Sequence, residues 1–344
     1  MGVIVLKEKS ATLFLCLAGI FCFIICILTG YSSVNGGIFK LFSAPSFSAS
    51  ETSSKNKTDE GEKVVLNNTS SDSTASTPSE IPAASNGQAL GAVKETFFAP
   101  SAAGLNLNNV QINNKTTAPL NILEFLKTKI PFKIESGAPQ VLILHTHTTE
   151  SYMLSDRDYY TATDASHSKD EAKNMVAIGA VFTSKLTAAD IGVIHSKTVH
   201  DYPSYSGSYD KSAETVKAVL KEHPTIKVVL DLHRDSIADG SGGKIKPVVQ
   251  IGGKKAAQVM LVMGNNFDSW KNNFSLAVKF HQTMQVMYPG LARPISLYNK
   301  KYNQNFSNGA MLIEVGTDAN TLEEALYGAE LSANALVSLL NTLK

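Results

Sequence analysis

An α/β fold is predicted for the last three-fifths of this chain: a doubly wound, mostly parallel but mixed sheet with helices on both faces. Three observations predict it. From Pro139 onward, short apolar runs alternate with stretches of helical period, the signature of successive βαβ units. Three of the apolar runs end in ionisable residues, and such sheets place their sites just beyond the carboxyl ends of strands. A "GGKK" turn between two further apolar runs predicts a hairpin, which makes the sheet mixed.

The elements follow in order. "PLNILEFLKTKIPF", Pro119 to Phe132, predicts a short helix with Ile122, Leu123 and Leu126 on one face, at the edge of the domain. "PQVLIL", Pro139 to Leu144, predicts a buried strand. The stretch from Glu171 carries a helical stripe of Met175, Ile178, Val181, Phe182 and Leu186. "IGVI" from Ile191 predicts a strand, "SAETVKAVLKEH" from Ser212 a helix, and "IKVVLDL" from Ile226 a strand. "KPVVQI" and "AAQVMLVMG" are the two arms of the hairpin. "NNFSLAVKFHQTMQVMY" predicts a helix and "GAMLIEVG", Gly309 to Gly316, a strand. A long closing helix begins at a capping box made by Thr321 and Glu324.

The first third is different. "ATLFLCLAGIFCFIICILTG", Ala11 to Gly30, carries no charge and is long enough, at roughly 18–20 apolar residues, to cross a bilayer as a helix. Lys7 and Lys9 precede it and no basic residue follows until Lys40, so the N-terminus (1–10) is expected in the cytoplasm and everything after Gly30 outside. A cleaved signal peptide is the competing reading; an uncleaved anchor over 11–30 is preferred because "GYSSVNGG" is a poor cleavage site. Residues 31–118, rich in Ser, Thr, Asn, Ala and Pro, show no sustained period and predict a disordered tether. Residues 119–138 are then expected to form the edge helix and linker, and 139–344 the α/β domain.

Composition narrows the chemistry. The 344 residues carry a formal net charge of +1, so no strong field directs the chain to nucleic acid or anionic lipid. The three cysteines, Cys16, Cys22 and Cys26, all fall in the apolar run. The rest of the chain therefore has no disulfide and no thiolate ligand, and a metal would be held by His, Asp or Glu.

Those residues gather at three strand ends. The first strand runs into "HTHTTE", His145 to Glu150, with His147 and Glu150 at H-x-x-E spacing. A later strand reads "VVLDLHRDS", with Asp231, His233, Arg234 and Asp235. The last reads "LIEVGTDAN", with Glu314 inside an apolar strand, where a carboxylate is costly unless paired or functional. A catalytic zinc takes three protein ligands and leaves one position open. His147, Glu150 and His233 are the candidate ligands, and Glu314 the candidate general base. Asp231 shares a strand face with His233, which makes it either an orienting partner for that imidazole or a solvated strand-end aspartate. Each residue alone has a bland alternative: a surface H-x-x-E pair, a hydrogen-bonded strand-end histidine, a glutamate paired with Arg234 or a lysine. The joint placement favours the metal site. His167, His195, His200, His223 and His281 lack carboxylate partners at ligand spacing and read as structural or solvated.

"VLILHTHTTESY", "VVLDLHRDS" and "YNQNFSNGAMLIEVGTDANTLEEA", in this order behind an anchor and a tether, resemble the stage II sporulation protein P family from Pro139 to the C-terminus. The resemblance implies a membrane-anchored cell-wall hydrolase similar to the zinc-dependent N-acetylmuramoyl-L-alanine amidases, with one zinc ion and an added endopeptidase activity on cross-links. It implies removal of stem peptides during septal thinning and engulfment, alongside sporulation protein D, a lytic transglycosylase, and sporulation protein M, a membrane scaffold. By this resemblance His147 and His233 match the amidases' histidine ligands. Glu314, with Asn320 after it, matches their catalytic glutamate. Their glutamate ligand lies at the start of the following helix, which points to Glu171. Zinc carboxypeptidases of related topology take it from H-x-x-E, which points to Glu150, the preferred assignment. His145 has no counterpart and is assigned to ligand replacement or substrate binding, Arg234 and Asn303-Gln304 to the peptide's carboxylates and amides.

Two rival classes remain. One is a catalytically inactive, amidase-like binding module that recruits cell-wall partners; the intact His147, His233 and Glu314 argue against it. The other is a metallophosphoesterase or amidohydrolase, since H-x-H after a strand also opens those sites, but the later strands offer too few further ligands.

Overall fold

The computed structural model describes residues 87–99 and 105–344; the expected cytoplasmic segment, anchor and first part of the tether lie outside the described residues. Among the described residues no helix is long and apolar enough to cross a membrane.

The predicted α/β architecture is present. Twelve strands are described: β1 (Ala89–Thr96), β2 (Leu105–Leu107), β3 (Val110–Asn114), β4 (Pro139–Leu144), β5 (Tyr159–Thr161), β6 (Gly192–His195), β7 (Val228–Asp235), β8 (Lys244–Ile251), β9 (Lys254–Ala257), β10 (Val259–Gly264), β11 (Ile295–Tyr298) and β12 (Ala310–Thr317). Five helices accompany them: α1 (Ile122–Lys127), α2 (Met175–Ala188), α3 (Ser208–Glu222), α4 (Trp270–Met287) and α5 (Leu322–Asn341). The main sheet has eight strands in the order β2-β3-β11-β10-β12-β7-β4-β6. It is parallel except at β2–β3 and β10–β12, so the sheet is mixed, as predicted.

Helices cover both faces. On one, Phe182 of α2, Phe274 and Phe280 of α4 and Leu336 of α5 pack with Val141, Ile143, Leu230, Leu232 and Ile313 from alternate strand positions. On the other, Val216 of α3 packs with Leu142, Leu144, Val229 and Ala310. The capping box at Thr321 and Glu324 is formed, and α5 starts there. α2 starts at Met175 rather than at Glu171, because the Asn174 side chain accepts the Val176 N–H and caps the helix. α1 buries Ile122 and Phe125, not the expected Ile122, Leu123 and Leu126; Phe125 sits edge-on to Phe274 at 4.9 Å.

Two expectations are corrected. The tether does not extend to residue 118. β3 pairs in parallel with β11, Ile112 opposite Ile295, and β1 pairs in parallel with β8. Neither strand shows a period of two: β1 buries only Val93, and β3 buries Val110, Gln111 and Ile112 in succession. The hairpin arms also divide differently. β8 and β9 do form an antiparallel hairpin, but within a second, four-stranded sheet ordered β5-β1-β8-β9. "AAQVMLVMG" breaks at Gln258, where the chain passes from one sheet to the other. The buried Gln258 amide is fully engaged there, accepting the Phe98 N–H at 2.8 Å and donating to the carbonyls of Gly290 and Phe98. A buried amide with all its partners marks a corner, not the middle of a strand.

Candidate functional site

The carboxyl ends of β4, β7 and β12 meet under α3, and period-two alternation decides which side chains share that face. On β7 it sends Asp231 and His233 toward α3. In the parallel register of β12, Leu312 lies beside Asp231 and Glu314 beside His233. On β4, Leu144 lies beside Asp231, and the next residue of the same parity is Thr146. Thr146 donates its backbone N–H (2.8 Å) and its hydroxyl (2.6 Å) to the Asp231 carboxylate, and its hydroxyl oxygen is also 2.7 Å from Ser212 on α3. The carboxylate is thereby fixed with Oδ1 3.0 Å from His233 Nε2, though outside hydrogen-bond geometry.

His147 stands in the turn after β4. Its ring is edge-on to His233 with centroids 5.2 Å apart, lies flat on Tyr205 at 4.2 Å and 6°, and meets Tyr209 edge-on at 5.7 Å. Glu150 completes the group. Its Oε2 is 3.5 Å from His233 Nδ1 and accepts the Arg234 backbone N–H at 3.2 Å, while Oε1 is 3.6 Å from the Arg234 guanidinium. Three buried polar atoms here have no hydrogen-bond partner: His147 Nδ1, His233 Nε2 and Glu314 Oε2. Buried polar atoms are almost always satisfied, so three at one sheet edge is an exception that calls for a ligand or a reaction.

The electrostatics follow from burial. Desolvation pushes His147 down to about 4, leaving it neutral. Burial also opposes a charge on His233, but Asp231 and then Glu150 outweigh it and hold that imidazole protonated. Burial opposes ionisation of Glu150 as well, and there the Arg234 guanidinium wins, with His233 adding to it, so the carboxyl lies well below its usual range. Burial lifts Glu314 to about 8 against the pull of His233 beside it, with Asp235 and Glu150 adding to the rise.

The structure thus brings His147, Glu150, His233, Asp231 and Glu314 together, and sets other expected residues apart. His145 has the opposite parity and points to the α2 face, fully buried. Its Nδ1 is 3.2 Å from the Leu232 carbonyl and its Nε2 2.9 Å from His195 Nε2, so it reaches neither ligand position nor substrate. Glu171 is exposed and paired with Lys197 at 2.8 Å, away from the cluster. Arg234 is buried and spent on Glu150 and on the carbonyls of Ser151 and Ser166; it positions Glu150 rather than meeting substrate. Gln304 bonds the Gly264 N–H and Val262 carbonyl, and Asn303 bonds Tyr209 and Ser212, so both brace the scaffold. Asn320 does the same for the turn after Glu314, accepting the Thr317 N–H at 2.9 Å.

Sequence reasoning passed over Thr146 and the segment "HDYPSYSGSYD". In that segment buried His200 and Asp201 tie the loop to the His147 turn, through the His145 carbonyl (2.8 Å) and the Thr149 hydroxyl (2.7 Å), and Tyr205 and Tyr209 wall the site. Its repeated tyrosines were the available signal.

The donors fit a zinc-like cation in kind: the neutral His147 imidazole with a bare nitrogen, the Glu150 carboxylate, and His233, which would ligate on giving up the proton that its two carboxylates hold. Among the described residues no three His, Cys, Asp or Glu side chains stand gathered at ligand spacing.

Fold and site define a mixed α/β domain with imidazoles and carboxylates converging at strand ends. The chain matches the stage II sporulation protein P family over residues 34–337 and belongs to it. It is 32% identical over 218 residues to stage II sporulation protein P of Bacillus subtilis (strain 168); the match covers 60% of this chain and 52%, about half, of that relative. Among solved structures it is similar to an N-acetylmuramoyl-L-alanine amidase from Clostridium difficile 630 (TM-score 0.40, 18% identity, 61% of this chain and all of that one). It is also similar to the amidase AmiC2 of Nostoc punctiforme (TM-score 0.38, 11% identity, 60% of this chain and 98% of that one).

Proposed function

We propose that this chain is a zinc-dependent N-acetylmuramoyl-L-alanine amidase that removes stem peptides from peptidoglycan during sporulation. The same reading gives it endopeptidase activity on cross-links, a membrane anchor with the catalytic domain outside the cytoplasm, and work at the septum with sporulation proteins D and M. Family membership supports the setting. One observation carries the chemistry: His147 Nδ1 and Glu314 Oε2 are buried without hydrogen-bond partners on either side of His233, at the carboxyl ends of the central strands.

His147, His233 and Glu150 would hold the cation. When bound, zinc supplies a Lewis acid that polarises the amide carbonyl and acidifies water. The protein's own groups do the rest. Asp231, fixed by Thr146, orients His233. Arg234 keeps Glu150 ionised. Glu314, in its ionised form, takes a proton from water as the water oxygen bonds to the amide carbon, then delivers it to the nitrogen as the C–N bond breaks. The products are a carboxylate on the lactyl group and a free peptide amine.

The test is mass spectrometry of purified cell wall digested by the full chain, with and without a chelator. Release of intact stem peptides that the chelator abolishes is expected; cross-linked walls show whether bridges are cut as well. No release from metal-loaded, folded protein overturns the assignment. One observation favours a second reading, an inactive amidase-like binding module: Glu150 is drawn to Arg234 and the ligands are not gathered. Metal content separates the two, one ion per chain for the hydrolase and none for the module.

A further inference from the structure

The loop between β6 and α3 bulges outward from a firm base. At its start the backbone carbonyl of buried His200 accepts from Lys211 Nζ at 2.9 Å. At its end buried Ser208 donates its hydroxyl to the Tyr205 carbonyl at 2.5 Å, and Lys211 also reaches the Ser204 carbonyl at 3.2 Å. Between these ties residues 202–206 are all exposed. The bulge carries two exposed tyrosines three residues apart: Tyr202 is 54% and Tyr205 56% exposed. Neither ring is loose. Tyr205 lies flat on His147, and Lys169 stands 4.4 Å from the centre of the Tyr202 ring.

We infer that Tyr202 and Tyr205 form a platform for the sugar rings of the glycan strand, with Tyr205 under the sugar whose side chain is cut. The inference rests on the amidase reading and deepens it. A pyranose presents a face of C–H groups and a rim of hydroxyls, so an exposed aromatic ring can stack against it. Such a chain needs ring faces rather than a field of charge, in keeping with a net charge of +1. The position also matches the chemistry. In an N-acetylmuramoyl-peptide the acyl carbon is three bonds from the sugar ring, about 4 Å. A sugar must therefore lie near the imidazoles: one face of Tyr205 lies on His147 at 4.2 Å, and a sugar on its other face would send the acyl arm past the rim of the ring toward them. Its braced base means that little ordering is required on binding. A cross-link between two peptides has no sugar at that distance, so the platform favours amidase over endopeptidase cleavage.

The test measures binding of fluorescent, peptide-free glycan strands to the full chain by polarisation. These strands have no stem peptide to lose, so binding is read apart from hydrolysis. Tyr205→Leu and Tyr202→Leu are each expected to weaken binding roughly three- to ten-fold, while Tyr205→Phe and Tyr202→Phe retain it. On glycan-linked substrate, Tyr202→Leu should raise KM more than it lowers kcat. Equal affinity in the wild type and the double leucine variant, which keeps apolar bulk without a ring, overturns the inference. Wild-type chain with no glycan affinity also overturns it and assigns the tyrosines to a protein surface. Tyrosine-dependent glycan binding without stem-peptide release leaves the platform standing and removes the hydrolase reading. Release with tyrosine-independent binding does the reverse. Unfolding curves of each variant, unchanged from wild type, separate these outcomes from misfolding.

Discussion

His145 and His147 are two residues apart, yet they occupy opposite situations on the two sides of the main sheet. On the α2 side His145 is fully buried and bonded at both nitrogens, to Leu232 and His195. On the α3 side His147 is buried with Nδ1 unpaired, among His233, Glu150 and Tyr205. The difference teaches that a buried imidazole is not by itself a sign of chemistry. What matters is whether the fold has already used its nitrogens.

Substitutions on the α3 side should break the comparison most sharply. His233→Ala is expected to lose metal and hydrolysis together. Glu314→Gln should keep the metal and lower kcat roughly 10²- to 10⁴-fold; metal analysis alongside stem-peptide release checks both. Metal at full occupancy in His233→Ala would sink the ligand assignment. Next, Arg234→Met strands a buried carboxylate at Glu150, and denaturant unfolding should show a loss of about 3–5 kcal/mol.

On the α2 side the effects concern stability alone. A methyl on Gly179 would run into the His195 and His145 rings. Gly179→Ala should therefore destabilise by about 1 kcal/mol, overpacking exceeding the gain in helix propensity, with hydrolysis per folded molecule unchanged. The pH dependence sharpens the same contrast. Burial, with Lys197 adding to it, holds His195 down to about 4 from 6.5. Between those values the unfolded chain takes up a proton that the folded one refuses. Stability is whole above pH 6.5 and falls as pH drops toward 4. His195→Phe should reduce the slope of that part of a Tm-against-pH curve, the rest coming from the other buried histidines, His145, His147 and His281. The smallest effect is expected at Glu171, exposed and paired only with Lys197. Glu171→Gln should change stability by less than about 0.5 kcal/mol and leave metal content alone, whereas a loss of metal would make it the ligand in place of Glu150.

How much of this was legible depended on whether the signal was local. β4, β7 and β12 are apolar runs, and their helices have clear stripes, so the centre of the main sheet could be read directly, while β2, β3 and β11 at one end of it were not. Glu314 was conspicuous as a charge in an apolar strand, and the register that sets it beside His233 came with two strands of similar length. The second sheet was not legible, because β1 finds β8 about 150 residues away and buries only Val93. Arg234 was misassigned because its bonds go to Glu150 and to two carbonyls, which no spacing announces. Alternation would have turned His145, the residue just after the strand, away from Leu142 and Leu144 on the α3 side, but it could not place His147, which lies in the turn beyond the strand.

The early strands carry a practical consequence. β3 and β1 cover the flanks of β11 and β8 from far upstream in the chain. A chain shortened to begin at Glu135, after every one of these strands, would expose two bare rows of backbone N–H and C=O groups. Exposed strand edges pair with one another. Such a truncated protein should self-associate and precipitate even with every ligand and base in place, whereas one beginning upstream of Ala89 should stay in solution.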